Sequence, residues 1–186
     1  MQANTAIGLL ETASIARGVE TLDAMCKAAG VEPETAMAIS KGKYIIIISG
    51  PVGEVESSMA KGVEIAGDTL VASHIIRNIH SGVIMALNKK VKADKVEAVG
   101  IVETKEALPA VFAADAAAKA AFVQVSEVNT GKGIGGKGYF TVTGDVGAVR
   151  TAVSAGVKAI GEAAVVARIV IPNAHAHVAD VISGKW

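Results

Sequence analysis

Ala6-Ile7-Gly8-Leu9-Leu10-Glu11-Thr12, near the start of the chain, returns as Ala98-Val99-Gly100-Ile101-Val102-Glu103-Thr104. The agreement runs on from there. Asp23-Ala24 and Lys27-Ala28-Ala29 recur as Asp115-Ala116 and Lys119-Ala120-Ala121, and Gly42-Lys43 as Gly136-Lys137. Gly50 and Val52-Gly53 recur as Gly144 and Val146-Gly147, and Gly62-Val63 as Gly156-Val157. The spacing widens slightly along the chain, so the second copy carries a small insertion before its Gly135-Gly136-Lys137 loop. A period of roughly 90 residues is too long for a solenoid repeat and matches a small domain. Two fused copies of one domain predict an assembly with pseudo-symmetry, in which each chain supplies two similar subunits to a ring.

Each copy reads strand, helix, strand, strand, helix, strand. In the first, 5–10 is a buried strand, and Ser14 caps a helix to about Ala29 with Ile15, Val19, Leu22, Met25 and Cys26 on one face. Residues 35–39 and the β-branched run 44–48 form a strand pair around Ser40-Lys41-Gly42. Pro51 fits the first turn of a helix whose apolar face is Val52, Val55, Met59, Val63 and Ala66. A strand over 69–76 and a short helix over 80–87 complete the copy. The second repeats the order: strand 98–102, helix 106–121, strands 122–128 and 138–143, a helix capped by Asp145, strand 165–171 and a short helix 175–182. The Lys-rich stretch 88–95 is the linker, which places one domain over 1–90 and the other over 96–186. The fold class is α/β, in the form of an α+β sandwich. Each domain has an antiparallel-rich sheet with helices on one face.

Composition narrows the function. The chain of 186 residues has 18 basic and 18 acidic side chains and only 3% aromatics. There is no basic excess to hold a phosphate backbone and little to stack on bases, so nucleic acid is not an expected partner. Zero net charge removes the self-repulsion that keeps copies apart. Cys26 is the single cysteine, so no internal disulfide forms and a reducing, cytoplasmic setting fits. No aliphatic stretch is long enough to span a membrane, and the first apolar run, broken by Glu11, is no signal peptide.

The most conspicuous motif, Gly131-Lys132-Gly133-Ile134-Gly135-Gly136-Lys137, mimics a nucleotide-binding loop. That chemistry requires a helix directly after the glycines, so that free N–H groups face phosphate. Tyr139–Thr143 reads as a strand, and Gly138 stands where a hydroxyl would bind magnesium. The segment is therefore a loop between strands. Its counterpart is Ile39-Ser40-Lys41-Gly42, a polar turn that could also form the lip of a pore by bringing backbone close to a symmetry axis. His74, His80, His175 and His177 have no cluster of carboxylates or thiols around them, so no metal site is expected, and His80 and His175 match as structural residues. Cys26 is matched by Ala118 and reads as a buried small hydrophobe. Glu11 and Glu103 end equivalent strands without a partner base or nucleophile, which favours a hydrogen-bonding role over catalysis. No enzyme activity is expected.

These residues resemble the bacterial microcompartment shell proteins, in the tandem-domain class that forms trimers. The resemblance is carried by 6–12, Asp23-Ala24-Met25-Cys26-Lys27-Ala28-Ala29, Gly42-Lys43, Gly50-Pro51-Val52-Gly53 and Ile79-His80. It is carried equally by their copies through Gly135-Gly136-Lys137 and Pro172-Asn173-Ala174-His175. It implies a homotrimeric, pseudo-hexameric tile in a cytoplasmic polyhedral shell, with other shell proteins as partners and small metabolites passing a central pore. It also implies that Ile39, Ser40, Lys41 and Gly42 line the pore, with Gly133, Ile134, Gly135 and Gly136 as the second-repeat loop. Lys41 and Lys43 would then bias the approach toward anions. Lys27, Lys119, Asn78 and Asn173 fall at the tile edge, the asparagines standing where the single-domain relatives carry arginine. The propanediol-utilisation branch of the class carries an iron–sulfur cluster in its pore on a Cys-Pro-Gly-Lys loop. Here Ser40 takes the cysteine position, so no cofactor is expected unless that residue were Cys. Two alternatives are an electron-conducting shell protein, disfavoured by Ser40, and a trimeric small-ligand-binding regulator on a similar sandwich.

Overall fold

The computed structural model describes residues 5–93 and 96–182; the ends of the two expected domains and of the linker fall outside the described residues. The first unit consists of β1 (Thr5–Thr12), α1 (Ile15–Ala28), β2 (Glu32–Ile39), β3 (Lys43–Pro51), α2 (Val52–Ala66) and β4 (Leu70–Ile76). Its sheet has the order β2-β3-β1-β4, antiparallel throughout. This is a split βαββαβ arrangement. β1 and β3 lie in the middle and are apolar on both faces, which is why 45–48 is an unbroken aliphatic run. Ala6, Leu10, Tyr44, Ile46 and Ile48 face α1 and α2, where Met25, Val55, Met59 and Ala66 meet them. Ile7, Leu9, Ile45 and Ile47 on the other face are also fully buried. Ser14 Oγ accepts a hydrogen bond from Arg17 N at 3.3 Å and starts α1 as a cap.

The second unit contains β5 (Ala98–Thr104), α4 (Pro109–Ala120), β6 (Gln124–Asn129), β7 (Gly138–Gly144), α5 (Val146–Ile160) and β8 (Val165–Ile171). Its order, β6-β7-β5-β8, reproduces the first. The registers match as well: Gly8 pairs with Ile48 and Gly100 with Val142, and both edge strands shift register at the same point, Pro33/Thr35 and Val125/Glu127. Asp145 caps α5, with Oδ1 accepting from Gly147 N at 2.8 Å. Two glycines are set by close approach. A Cβ at Gly100 would lie 2.6 Å from Val153 Cγ2, and one at Gly156 would lie 2.8 Å from the Ala113 carbonyl oxygen.

Two expectations are corrected. The compact units divide between Ile79 and His80, so 80–90, placed with the first domain on sequence, packs with the second. The short helix α3 (Ser81–Ala86) lies against β6 and α4. Val83, Ala86 and Leu87 are buried there, and Leu87 forms a parallel β-bridge with Val128. A turn signal marks where a segment leaves its sheet, but burial decides which unit receives it. The other correction concerns α1. Met25 and the buried Gly18 and Thr21 face the core, whereas Ile15, Val19 and Cys26 are exposed. The apolar stripe on this helix is therefore wider than the core it covers. An α6 helix (Ala176–Ile182) ends the described chain.

Candidate functional site

The loop joining β2 to β3 is a single tight turn over Ser40–Gly42. Lys41 and Gly42 both take left-handed backbone, at φ 62° and 71°. Glycine does so freely, while a lysine there costs roughly 1–2 kcal/mol. The turn projects Lys41 into solvent and leaves Ile39 and Ser40 half-buried. Behind it, Lys43 Nζ sits 2.6 Å from Glu11 Oε1, whose side chain is almost fully buried. The second unit repeats the pair, with Lys137 Nζ 2.8 Å from Glu103 Oε1. These pairs were missed on sequence, although the signal was there: a carboxylate ending the first strand and a lysine opening the third recur in both copies. They correct the electrostatics of the turn. The charge on Lys43 is compensated by Glu11, so Lys41 is the cation of this turn that faces water.

The corresponding loop of the second unit is longer and glycine-supported. Gly131, Gly133, Gly135 and Gly136 all have positive φ, and Asn129 Oδ1 accepts from Gly131 N and Lys132 N at 3.0 Å each. Its base is pinned from outside the sheet. Asn88 Oδ1 accepts from Thr130 N at 3.0 Å, and Asn88 Nδ2 donates to Thr130 Oγ1 at 2.9 Å. β7 follows at Gly138, so the glycines lead into a strand and not into the helix that a phosphate-binding loop requires. Next to the loop, burial and a hydrogen bond to the Glu127 carboxylate push the Tyr139 phenol up to about 12, so it stays neutral.

Iron does not fit the donor set at Ser40. The turn offers a hydroxyl, two lysines and backbone, and the chain's one thiol, Cys26, lies on α1. Partial desolvation, then the carboxylates of Asp23 and Glu32, push that thiol above its ordinary range. Among the described residues no three His, Cys, Asp or Glu side chains come together as a metal site. His175 and His177 stack with ring centroids 5.1 Å apart. His175 Nδ1 accepts from His177 N at 3.3 Å, as His80 Nδ1 accepts from Gly82 N at 3.2 Å, so both histidines act as helix caps.

Lys27 and Lys119 sit in the last turns of α1 and α4, each 2.6 Å from the aspartate one turn back, Asp23 or Asp115. Both ammonium groups retain access to solvent. Asn78 and Asn173 follow the last strand of their copies with φ of 53° and 50°. That conformation explains asparagine at both positions, since its short amide tolerates left-handed backbone better than a longer side chain.

The BMC domain family matches residues 6–79 and 98–174. Bacterial microcompartment shell protein PduT of Citrobacter freundii is 43% identical over 171 residues, covering 91% of this chain and 93% of that protein. Carboxysome shell protein CsoS1C of Halothiobacillus neapolitanus is 35% identical over 91 residues, which is 47% of this chain and 93% of the relative. Among solved structures, a microcompartment protein from Desulfitobacterium hafniense superimposes with a TM-score of 0.89 at 40% identity. The match covers 94% of this chain and 97% of that one.

Proposed function

The chain belongs to the BMC-domain family as a tandem-domain shell protein of bacterial microcompartments, and from that premise we propose that it works as a homotrimeric, pseudo-hexameric tile with a central metabolite pore and no catalytic activity. The observation that carries this is the repetition itself. Two units with the same strand order, register and edge-strand bulge in one chain give a ring of like subunits from half as many chains. In such a ring the Ile39–Gly42 turns of symmetry-related chains meet at the axis. Ser40 supplies hydroxyls to the opening, Lys41 supplies positive charge, and the Gly133–Gly136 loops alternate with them. Light scattering should give a mass of about three chains; a monodisperse monomer at micromolar concentration would refute the tile.

Lys27 and Lys119 are assigned to the tile edge, with Asn78 and Asn173 as the turns beside it. Other shell proteins of the same compartment are the partners across that edge. Lys27→Ala with Lys119→Ala removes both cations from the perimeter and leaves the helices themselves intact. We expect the soluble tile to keep its mass while negative-stain microscopy finds no extended sheets. Normal sheets from the double variant would remove both lysines from the edge.

A further inference from the structure

The described structure contains one filled joint and both halves of an equivalent empty one. The filled joint is the seat of α3 on the second unit. Val83 and Ala86 of α3 are 0% exposed there, as are Ala107 and Val111 on the α4 side of the seat. His80 N donates to Asp115 Oδ1 at 2.8 Å, and Leu87 bridges Val128 on the edge strand. The sheet registers and the helical Asp/Lys pairs carry each of these positions onto the other copy. Asp115 corresponds to Asp23, Ala107 to Ile15, Val111 to Val19, and Val128 to Ala36. His80 corresponds to His175 through the shared helix cap, so Val83 and Ala86 correspond to Val178 and Val181, and Leu87 to Ile182.

Burial separates the two sets sharply. Ile15 is 45% and Val19 51% exposed, and Val178 and Val181 are 37% and 41% exposed. The side chain of Asp23 is 61% exposed where that of Asp115 is 10%. The seat on the first unit and the helix that fits it are thus both apolar and both uncovered within a single chain. A knob on one unit and a matching hole on the other, both left open, define a head-to-tail contact that another copy completes. We propose that α6 is a strap that docks on the α1/β2 face of the first unit of a second copy of this chain, as α3 docks on the second unit of its own. Val178 and Val181 then cover Ile15 and Val19, His175 N donates to the Asp23 carboxylate, and Ile182 bridges Ala36. This rests on the trimeric reading and deepens it by naming the contact that closes the ring.

The test is a disulfide at the bridge position. β-bridge partners lie within the Cα range that a disulfide spans. In a Cys26→Ser background, Ala36→Cys with Ile182→Cys should oxidise to a covalently closed trimer on non-reducing gels. Leu87→Cys with Val128→Cys should give an intrachain bond and serves as the geometric control. Val178→Asp with Val181→Asp, on an exposed terminal helix that no core depends on, should raise the concentration at which the trimer dissociates at least ten-fold. A trimer by light scattering that neither cross-links nor weakens leaves the tile reading standing and overturns the strap alone. An intrachain bond between positions 36 and 182 overturns it too, because α6 would then close on its own first unit. A monomeric wild-type chain would overturn both.

Discussion

Anaerobic reconstitution of this protein with iron and sulfide is expected to yield no bound cluster and no visible charge-transfer absorption, while Ser40→Cys is expected to gain both. The expectation rests on the proposed axis, where symmetry gathers one Ser40 from each chain. A serine hydroxyl is a weak, protonated donor toward iron at neutral pH, whereas a thiolate is the ordinary ligand of such clusters. The turn itself is tight and its two lysines are not equivalent. Its left-handed Lys41-Gly42 backbone turns the chain sharply, and Lys43 is held aside by Glu11. Iron retained by both forms in equal amount would mean that Ser40 is not at the ligand position, and the pore assignment would fall with it. Metal analysis of the trimer, read per chain, distinguishes the outcomes without any assay of transport.

Gly156→Val is expected to destabilise the second unit strongly, by about 2–3 kcal/mol. Gly156 lies on α5 where it crosses α4. Its absent side chain leaves room for the Ala113 carbonyl and the ring of Phe140, at 2.8 and 3.0 Å from a Cβ. Backbone cannot yield as a flexible side chain can, so the helices must separate and α4, which buries most of its alanines, loses its packing. Gly53 provides the contrast. It lies in the first turn of α2 with nothing within 4 Å of a Cβ. Gly53→Ala should raise stability by up to about 1 kcal/mol, chiefly by restricting the unfolded chain. Denaturant midpoints for the two variants, measured at one protein concentration, should move in opposite directions. A neutral Gly156→Val would mean that the α4–α5 crossing is looser than its distances indicate.

The element order was legible because the repeat let each copy vouch for the other. The run 44–48 read as a strand because it is rich in β-branched residues, and Gly138–Thr143 read as a strand in the same place of the second copy. The cap residues Ser14 and Asp145 were legible for the same reason that they work, a short oxygen-bearing side chain ahead of an apolar run. The glycine loop was read as a strand connection because Tyr139-Phe140 follows it. What escaped was every property that depends on a partner far away in sequence. The stripe Ile15, Val19, Leu22, Cys26 announces an apolar face but not that the chain itself leaves it open. Residues 80–90 carry no mark that their burial lies in the second unit. The pairing of Glu11 with Lys43 shows only through its recurrence as Glu103 and Lys137, and the left-handed turns at Asn78 and Asn173 show only as a preference for asparagine.

The seat of α3 has a kinetic consequence. Because the chain delivers this helix to its own second unit, that joint closes at the effective concentration of a tethered contact, in the millimolar range for a short connection. It does not depend on how much protein the cell has made. A joint made by α6 must wait for diffusion between separate chains and therefore follows mass action. With two like units on one chain, what would be a six-body encounter among single-domain subunits divides into a fast step written into each polypeptide and a slow step set by expression level. Tiles of this kind should nucleate at lower concentration than their single-domain counterparts. They should also carry a fixed alternation of first and second units around the ring, since no free subunit is available to enter in the wrong place.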